Sequence, residues 1–142
     1  MIFTLDTNVV VDALRQPPEL DRLKAFLSWA LPSTVLSSIV AAELTAGVRT
    51  LKARRALDRL LLGAFERRGR VVAPSIAAWR RMGALVGQIG AAGLSASRQN
   101  DALLATQARE WGWTLITRDR DFETLRAHVS GLKVAAPFPE RP

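Results

Sequence analysis

Apolar and polar residues along the chain follow two alternating patterns. Short apolar or β-branched runs at 2–6 (IFTLD), 34–38 (TVLSS), 70–73 (RVVA), 114–118 (TLITR) and 132–136 (LKVAA) have the length and composition of strands. Between them, 9–15, 19–30, 39–48, 52–67, 76–90 and 100–111 carry apolar residues at helical spacing, and a shorter helix is expected near 120–127. Ser38 and Ser75 stand where helix N-caps belong, and Gly112 where a helix should stop. Strands alternating with helices require crossover connections, which predicts an α/β fold with a mostly parallel sheet covered on both faces.

The small-residue segment Gly90–Ser97 (GAAGLSAS) reads as a loop, and the Pro-containing tail 137–142 as loosely held. No internal repeat or low-complexity linker interrupts the pattern. With 142 residues, the chain is expected to form a single domain over 1–142 that buries enough surface to need no staples.

Composition limits the chemistry. The absence of cysteine removes disulfides, iron–sulfur clusters and thiolate zinc sites. One histidine, His128, and no tyrosine remove paired-histidine ribonuclease chemistry and His-rich metal sites. Proton transfer and metal binding are left to carboxylates and water. The N-terminus MIFTLDTN has no basic leader region, and no apolar run reaches the roughly 18 residues of a membrane span, so a cytoplasmic protein with no membrane partner is expected.

The acids fall at telling positions. In an open parallel sheet, ligands bind beyond the carboxyl ends of the strands. Asp6 ends the first expected strand and Asp119 the fourth, with Asp121 close behind. Taken singly, each reads as a turn residue or helix cap. Glu43 is different: Ile39, Val40, Ala46 and Gly47, its helical neighbours, are all apolar or small. A carboxylate in such a face pairs with a cation or metal, or else sits at an exposed helix edge and reaches for Arg49. Asp101 is expected to open a helix, where the dipole favours an acid, although Asn100 would serve equally as the cap. Were Asp6, Glu43, Asp101 and Asp119 to converge, each pair at ~4 Å would repel by about 4 kcal/mol at an effective dielectric near 20. A divalent cation relieves that repulsion, and an all-oxygen ligand set selects Mg²⁺ or Mn²⁺ over zinc. Such a centre acidifies a water and neutralises a phosphate in an in-line displacement.

LDTNVVVD, AAELTAG, NDALLATQA and LITRDRDF, in that order from Ile2 to about Phe122, resemble the PIN-domain ribonucleases of the VapC toxin type. The resemblance implies a five-stranded sheet of order 3-2-1-4-5 flanked by helices and an acidic pocket holding Mg²⁺ or Mn²⁺. It matches Asp6, Glu43, Asp101 and Asp119 to the family's four acids. Asp6 and Asp101 would be the most direct metal ligands, Asp119 would join directly or through water, and Glu43 would position the metal or the attacking water. Asn8 and Thr117 match polar positions that orient those carboxylates, whereas Asp121 is expected to cap the helix that follows it. The resemblance further implies cleavage of structured RNA such as tRNA or rRNA, a homodimer, and a cognate VapB-type antitoxin that silences the toxin. The alternative is an inactive PIN-like module that binds RNA or protein. Other carboxylate phosphotransfer folds fit less well: a haloacid-dehalogenase-like site would want Asp where Asn8 stands, and a Toprim-like nuclease would want Glu on the first strand.

The net charge of +7 suits a polyanionic partner, and 17 of the 20 basic residues are arginine. Eight basic residues lie between Arg49 and Arg70. With Leu57, Leu60, Leu61 and Phe65 as the buried stripe, Arg55 and Arg59 point outward, either as a phosphate-tracking rim or as a solvated face. Arg118 and Arg120 flank Asp119, placed to touch a scissile phosphate or to pair with neighbouring acids. Trp79, with Met82, Leu85 and Val86, is expected in the core or at a dimer or partner contact.

Overall fold

The computed structural model describes residues 1–89 and 96–142. The elements run β1 (Phe3–Leu5), α1 (Thr7–Arg15), α2 (Pro17–Ala30), β2 (Thr34–Ser37), α3 (Ser38–Gly47), α4 (Leu51–Leu57), a π-helical turn (Asp58–Leu62), α5 (Gly63–Arg67), β3 (Val71–Val72), α6 (Ile76–Ile89), α7 (Ala96–Trp111), β4 (Thr114–Ile116), α8 (Asp121–Arg126) and β5 (Lys133–Ala135). Among the described residues the strands form one five-stranded sheet, β3-β2-β1-β4-β5, with every neighbouring pair parallel.

Strand β1 lies at the centre and is buried along its whole length, the hydroxyl-bearing Thr4 between Phe3 and Leu5 included. The sheet order places the ends of β1 and β4 side by side, and the acids Asp6 and Asp119 follow those ends. On one side, Val9, Val10 and Ala13 of α1 and Leu23, Phe26 and Ala30 of α2 face inward. Phe3, Phe26 and Trp29 meet edge to face, with centroids 5.3 to 6.2 Å apart. Helix α7 is buried from Ala102 to Ala108 and ends in a Schellman motif. There Trp113 N–H donates to the Ala108 carbonyl at 2.8 Å, while Gly112 takes φ +71°, a conformation costly for any residue with a Cβ.

The expected elements are present, with shifts at their ends. Ser37 rather than Ser38 caps α3, its hydroxyl accepting from Ile39 N–H at 3.1 Å. Ser75 does cap α6, accepting from Ala78 N–H at 3.0 Å. Helix α7 begins at Ala96, so Asp101 lies beyond its first turn and the N-terminal dipole does not account for it. Most of the expected Gly90–Ser97 loop lies outside the described residues, while Ala96 and Ser97 already belong to α7.

The long helix expected over 52–67 is broken in phase by the π-turn, whose i→i+5 pattern adds a residue to one turn. Leu62 is thereby carried inward (3% exposed) and Leu60 outward (41%), against the expectation that Leu60 belongs to the buried stripe. Trp79 is 53% exposed and lies outside the core, because Ala78 and Leu85 form the inward face of α6. The tail is better held than its composition predicts. Phe138 stacks on Phe26 at 5.3 Å, and Arg22 lies over Phe138 while donating to the Pro137 carbonyl at 2.9 Å. No helix among the described residues is long and apolar enough to cross a membrane.

Candidate active site

Asp6 follows β1 and caps α1, accepting from Thr7 N–H at 2.8 Å. It is 5% exposed, so its carboxylate depends on protein partners for the hydrogen bonds it would otherwise make to water. Thr117, just past β4, donates its hydroxyl to Asp6 Oδ2 at 2.7 Å, and Asn8 Nδ2 donates to the same oxygen at 2.9 Å. The Thr117 hydroxyl in turn accepts from Asp119 N–H at 3.0 Å and from Asn8 Nδ2 at 3.3 Å. This network locks the turn after β4 to the turn after β1.

Asp119 accepts from Asp121 N–H at 2.8 Å. Asp119 therefore orders the start of α8, and the expectation that Asp121 caps this helix is corrected: Asp121 is its first residue and makes no capping bond. Instead the Asp121 carboxylate lies 3.7 Å from Arg98. Glu43 projects from α3, and Thr7 donates its hydroxyl to Glu43 Oε1 at 3.2 Å. That contact takes the place of the Arg49 partner considered from sequence.

One open cavity of about 450 Å³ gathers these groups: Asp6, Glu43, Asp101, Asp119 and Asp121 all line it, with Arg98 and Asn8. Burial raises the Asp101 carboxyl to about 7, and the charges of Asp6, Asp119, Glu43 and Asp121 push in the same direction. Asp6 and Glu43 are raised as well, chiefly by burial. For Asp6 the bonds from Thr117 and Thr7 oppose the rise, and for Glu43 the bond from Thr7 does. Carboxylates separated by up to 113 positions, Asp6 to Asp119, thus share one electrostatic field. As placed, no three acidic or histidine side chains among the described residues stand close enough to grip a single ion. The donor set is nonetheless all oxygen and mutually repulsive, which is the chemistry a hard divalent cation satisfies.

Arg118 takes the second of the two roles expected for it, pairing with acids. It pairs with Asp12 of α1, which lines the acidic cavity, at 2.8 Å and with Glu19 of α2, and is not itself among the residues that line the cavity. Arg120, Arg55 and Arg59 are exposed and do not line that cavity either. Thr7 and Arg98 are site residues that the sequence reading did not name. Thr7 could have been found as the middle residue of the D-T-N turn, whereas Arg98 carries no local signal and is positioned only by the packing of α7.

The profile of PIN-domain sequences matches residues 3–127. The chain belongs to the PIN-domain family. Toxins of this family are generally nucleases. The PIN chain is 31% identical over 141 residues to the plasmid stability protein StbB of Pseudomonas syringae pv. tomato, covering 94% of this chain and 96% of that protein. It is also similar to VapBC2 of Rickettsia felis, solved bound to a DNA fragment from its promoter, at 26% identity and a TM-score of 0.68, covering 96% and 98% of the two chains. FitAcB of Neisseria gonorrhoeae is similar at 26% identity with a TM-score of 0.67 and the same coverage.

Proposed function

We propose that this PIN domain is a Mg²⁺- or Mn²⁺-dependent endoribonuclease that cleaves structured RNA, and that it acts as the toxin of a VapBC-type toxin–antitoxin pair. The observation that carries the reading is the shared acidic cavity, in which burial, reinforced by four carboxylates from different elements, raises Asp101 to about 7. Asp6 and Asp101 would be the direct ligands, with Asp119 direct or through water and Glu43 positioning the ion or the attacking water. When bound, the ion would supply positive charge to the phosphate and acidify the water that attacks it in line.

The chain's own contribution is positioning. Thr117, Asn8 and Thr7 N–H hold both oxygens of Asp6, so this carboxylate is fixed before any ligand arrives. Thr7 also sets the Glu43 carboxylate, coupling α1 to α3. Asp101 at about 7 carries a proton for part of the time at neutral pH, and a bound cation would favour its ionised form. The exposed Arg55, Arg59 and Arg120 are the cations this reading assigns to phosphate contacts along the rim, and Arg118 is better explained as a brace between α1, α2 and the turn after β4.

The solved relatives named VapBC2 and FitAcB motivate a cognate antitoxin as partner, and the exposed Trp79 face of α6 suits a homodimer or partner contact. Cleavage of a tRNA or rRNA substrate in Mg²⁺, compared between wild type and Asp101→Asn, tests the enzyme. Loss of cleavage in the variant is expected, and undiminished cleavage would discard the mechanism. Induced expression beside Asp6→Asn tests toxicity, with growth arrest expected from the wild type alone.

A second reading follows from the separation of the acids as placed: a binding module that takes up no ion. Calorimetric titration with Mn²⁺ separates the two, because heat of binding that disappears in Asp6→Asn belongs only to the first.

A further inference from the structure

A second cavity, of about 400 Å³, opens between α6, α7 and the turn from α8 to β5. Arg81 and Gln88 of α6, Arg109 of α7 and His128 line it, and no acidic side chain among the described residues does. Arg109 is held in place. Its Nε donates to the Ser130 carbonyl at 2.6 Å, and its guanidinium lies over Gly131, where a Cβ would come within 2.5 Å of Nε. Gly131 also has φ +83°, a backbone conformation that favours glycine, and a Cβ there would displace the Arg109 side chain. With Nε occupied, the terminal nitrogens of Arg109 remain as donors. Among the described residues neither Arg81 nor Arg109 forms an ion pair.

This cavity and the acidic one are neighbours, separated by a third, smaller one. The smaller one is lined by Asp101 and Asp121, which also line the acidic cavity, and by His128, which also lines the basic one. The chain therefore carries a row of neighbouring cavities, with carboxylates around the one at one end and guanidinium groups around the one at the other. An acidic cup repels a polyanion, so a strand whose reacting phosphate sits there needs cations elsewhere along its backbone to hold it. Guanidinium groups, with paired donors in a fixed plane, match phosphate oxygens.

We propose that the Arg81–Arg109 cavity is a phosphate subsite for the nucleic-acid strand that enters the acidic cavity, engaging a backbone phosphate away from the one that is cut. The location of the cut rests on the function proposed above; the subsite's affinity for the strand does not.

Binding of a labelled single-stranded oligoribonucleotide in EDTA, followed by anisotropy over a salt series, reads the subsite without cleavage. Arg81→Ala should make the slope of log affinity against log salt shallower by about 0.7, the loss of one phosphate contact, with Arg109→Ala giving a similar change. Lys24→Ala, an exposed cation on α2, should leave the slope unchanged. If Arg109→Ala does not fold, Arg81→Ala decides alone. An unchanged slope in Arg81→Ala, or no binding by the wild type at any salt, overturns the proposal. Inorganic phosphate distinguishes the other source of the same chemistry: Arg81-dependent stabilisation by phosphate with no change in the oligonucleotide slope would make this a free-anion pocket and also overturn it. A wild type that binds with the expected slopes but cleaves nothing in Mg²⁺ would refute the nuclease reading and leave the subsite standing.

Discussion

Thr117 donates to Asp6 at 2.7 Å across 111 positions of sequence, and the same hydroxyl accepts the backbone N–H of Asp119. One side chain thus joins the first acid to the turn that presents the fourth. Thr117→Val removes the donor while keeping the shape. It should lower divalent-metal affinity or activity by about 10–100-fold, as loss of an outer ligand partner typically does, measured by Mn²⁺ titration and RNA cleavage. An effect on folding alone, with metal affinity intact, would deny Thr117 this role.

Asp101 is raised from 3.8 to about 7, so the folded chain holds a proton there that the unfolded chain has released. The sign follows: stability of the metal-free protein falls as pH rises from about 4 to about 7 and levels off above. Asp101→Asn cannot ionise. In EDTA it should melt above the wild type at pH 8, and the gap should close on acidification toward pH 4, followed by circular dichroism.

Mg²⁺ should reverse that trend. An ion bound only by the folded chain adds about 2.7 kcal/mol at a hundredfold excess over its dissociation constant. The melting temperature of the wild type should therefore climb with Mg²⁺ above pH 7, and that of Asp6→Asn should stay flat. An equal rise in both would place the ion away from this cavity.

Much of this arrangement was legible in the chain. Asp6 and Asp119 follow short apolar strands, and parallel topology brings the ends of such strands to one edge. Glu43 stood out because its neighbours three and four positions away, Ile39, Val40, Ala46 and Gly47, are all apolar or small. What escaped notice depends on longer-range packing. Asp119 and Asp121 are chemically equivalent two residues apart, and only the turn geometry gives the ordering bond to Asp119. Arg118 is drawn to Asp12 and Glu19, acids on two helices whose approach to it local sequence does not reveal. The Asp58–Leu62 turn is invisible because leucines at 60, 61 and 62 satisfy either helical phase.

That turn makes its own prediction. Leu62→Ala should cost about 2–5 kcal/mol, in the range of buried leucine truncations. Leu60→Ala should stay within about 0.5 kcal/mol, as exposed substitutions do. Urea unfolding of the two variants checks this, and a reversed order would mean an uninterrupted α-helical register.

Arg118→Ala should cost about 0.2–1 kcal/mol per lost pair, since both partners are partly solvated. It should also leave the salt dependence of oligonucleotide binding unchanged. A slope made shallower by about 0.7 would return Arg118 to the phosphate-contacting set.

The sheet order has a consequence for synthesis. The central strand leaves the ribosome before β4, and Thr117 and Asp119 follow β4 in chain order. A nascent PIN chain carries Asp6 long before it can carry a finished acidic cup, so any activity built on that cup is withheld from incomplete chains by topology alone.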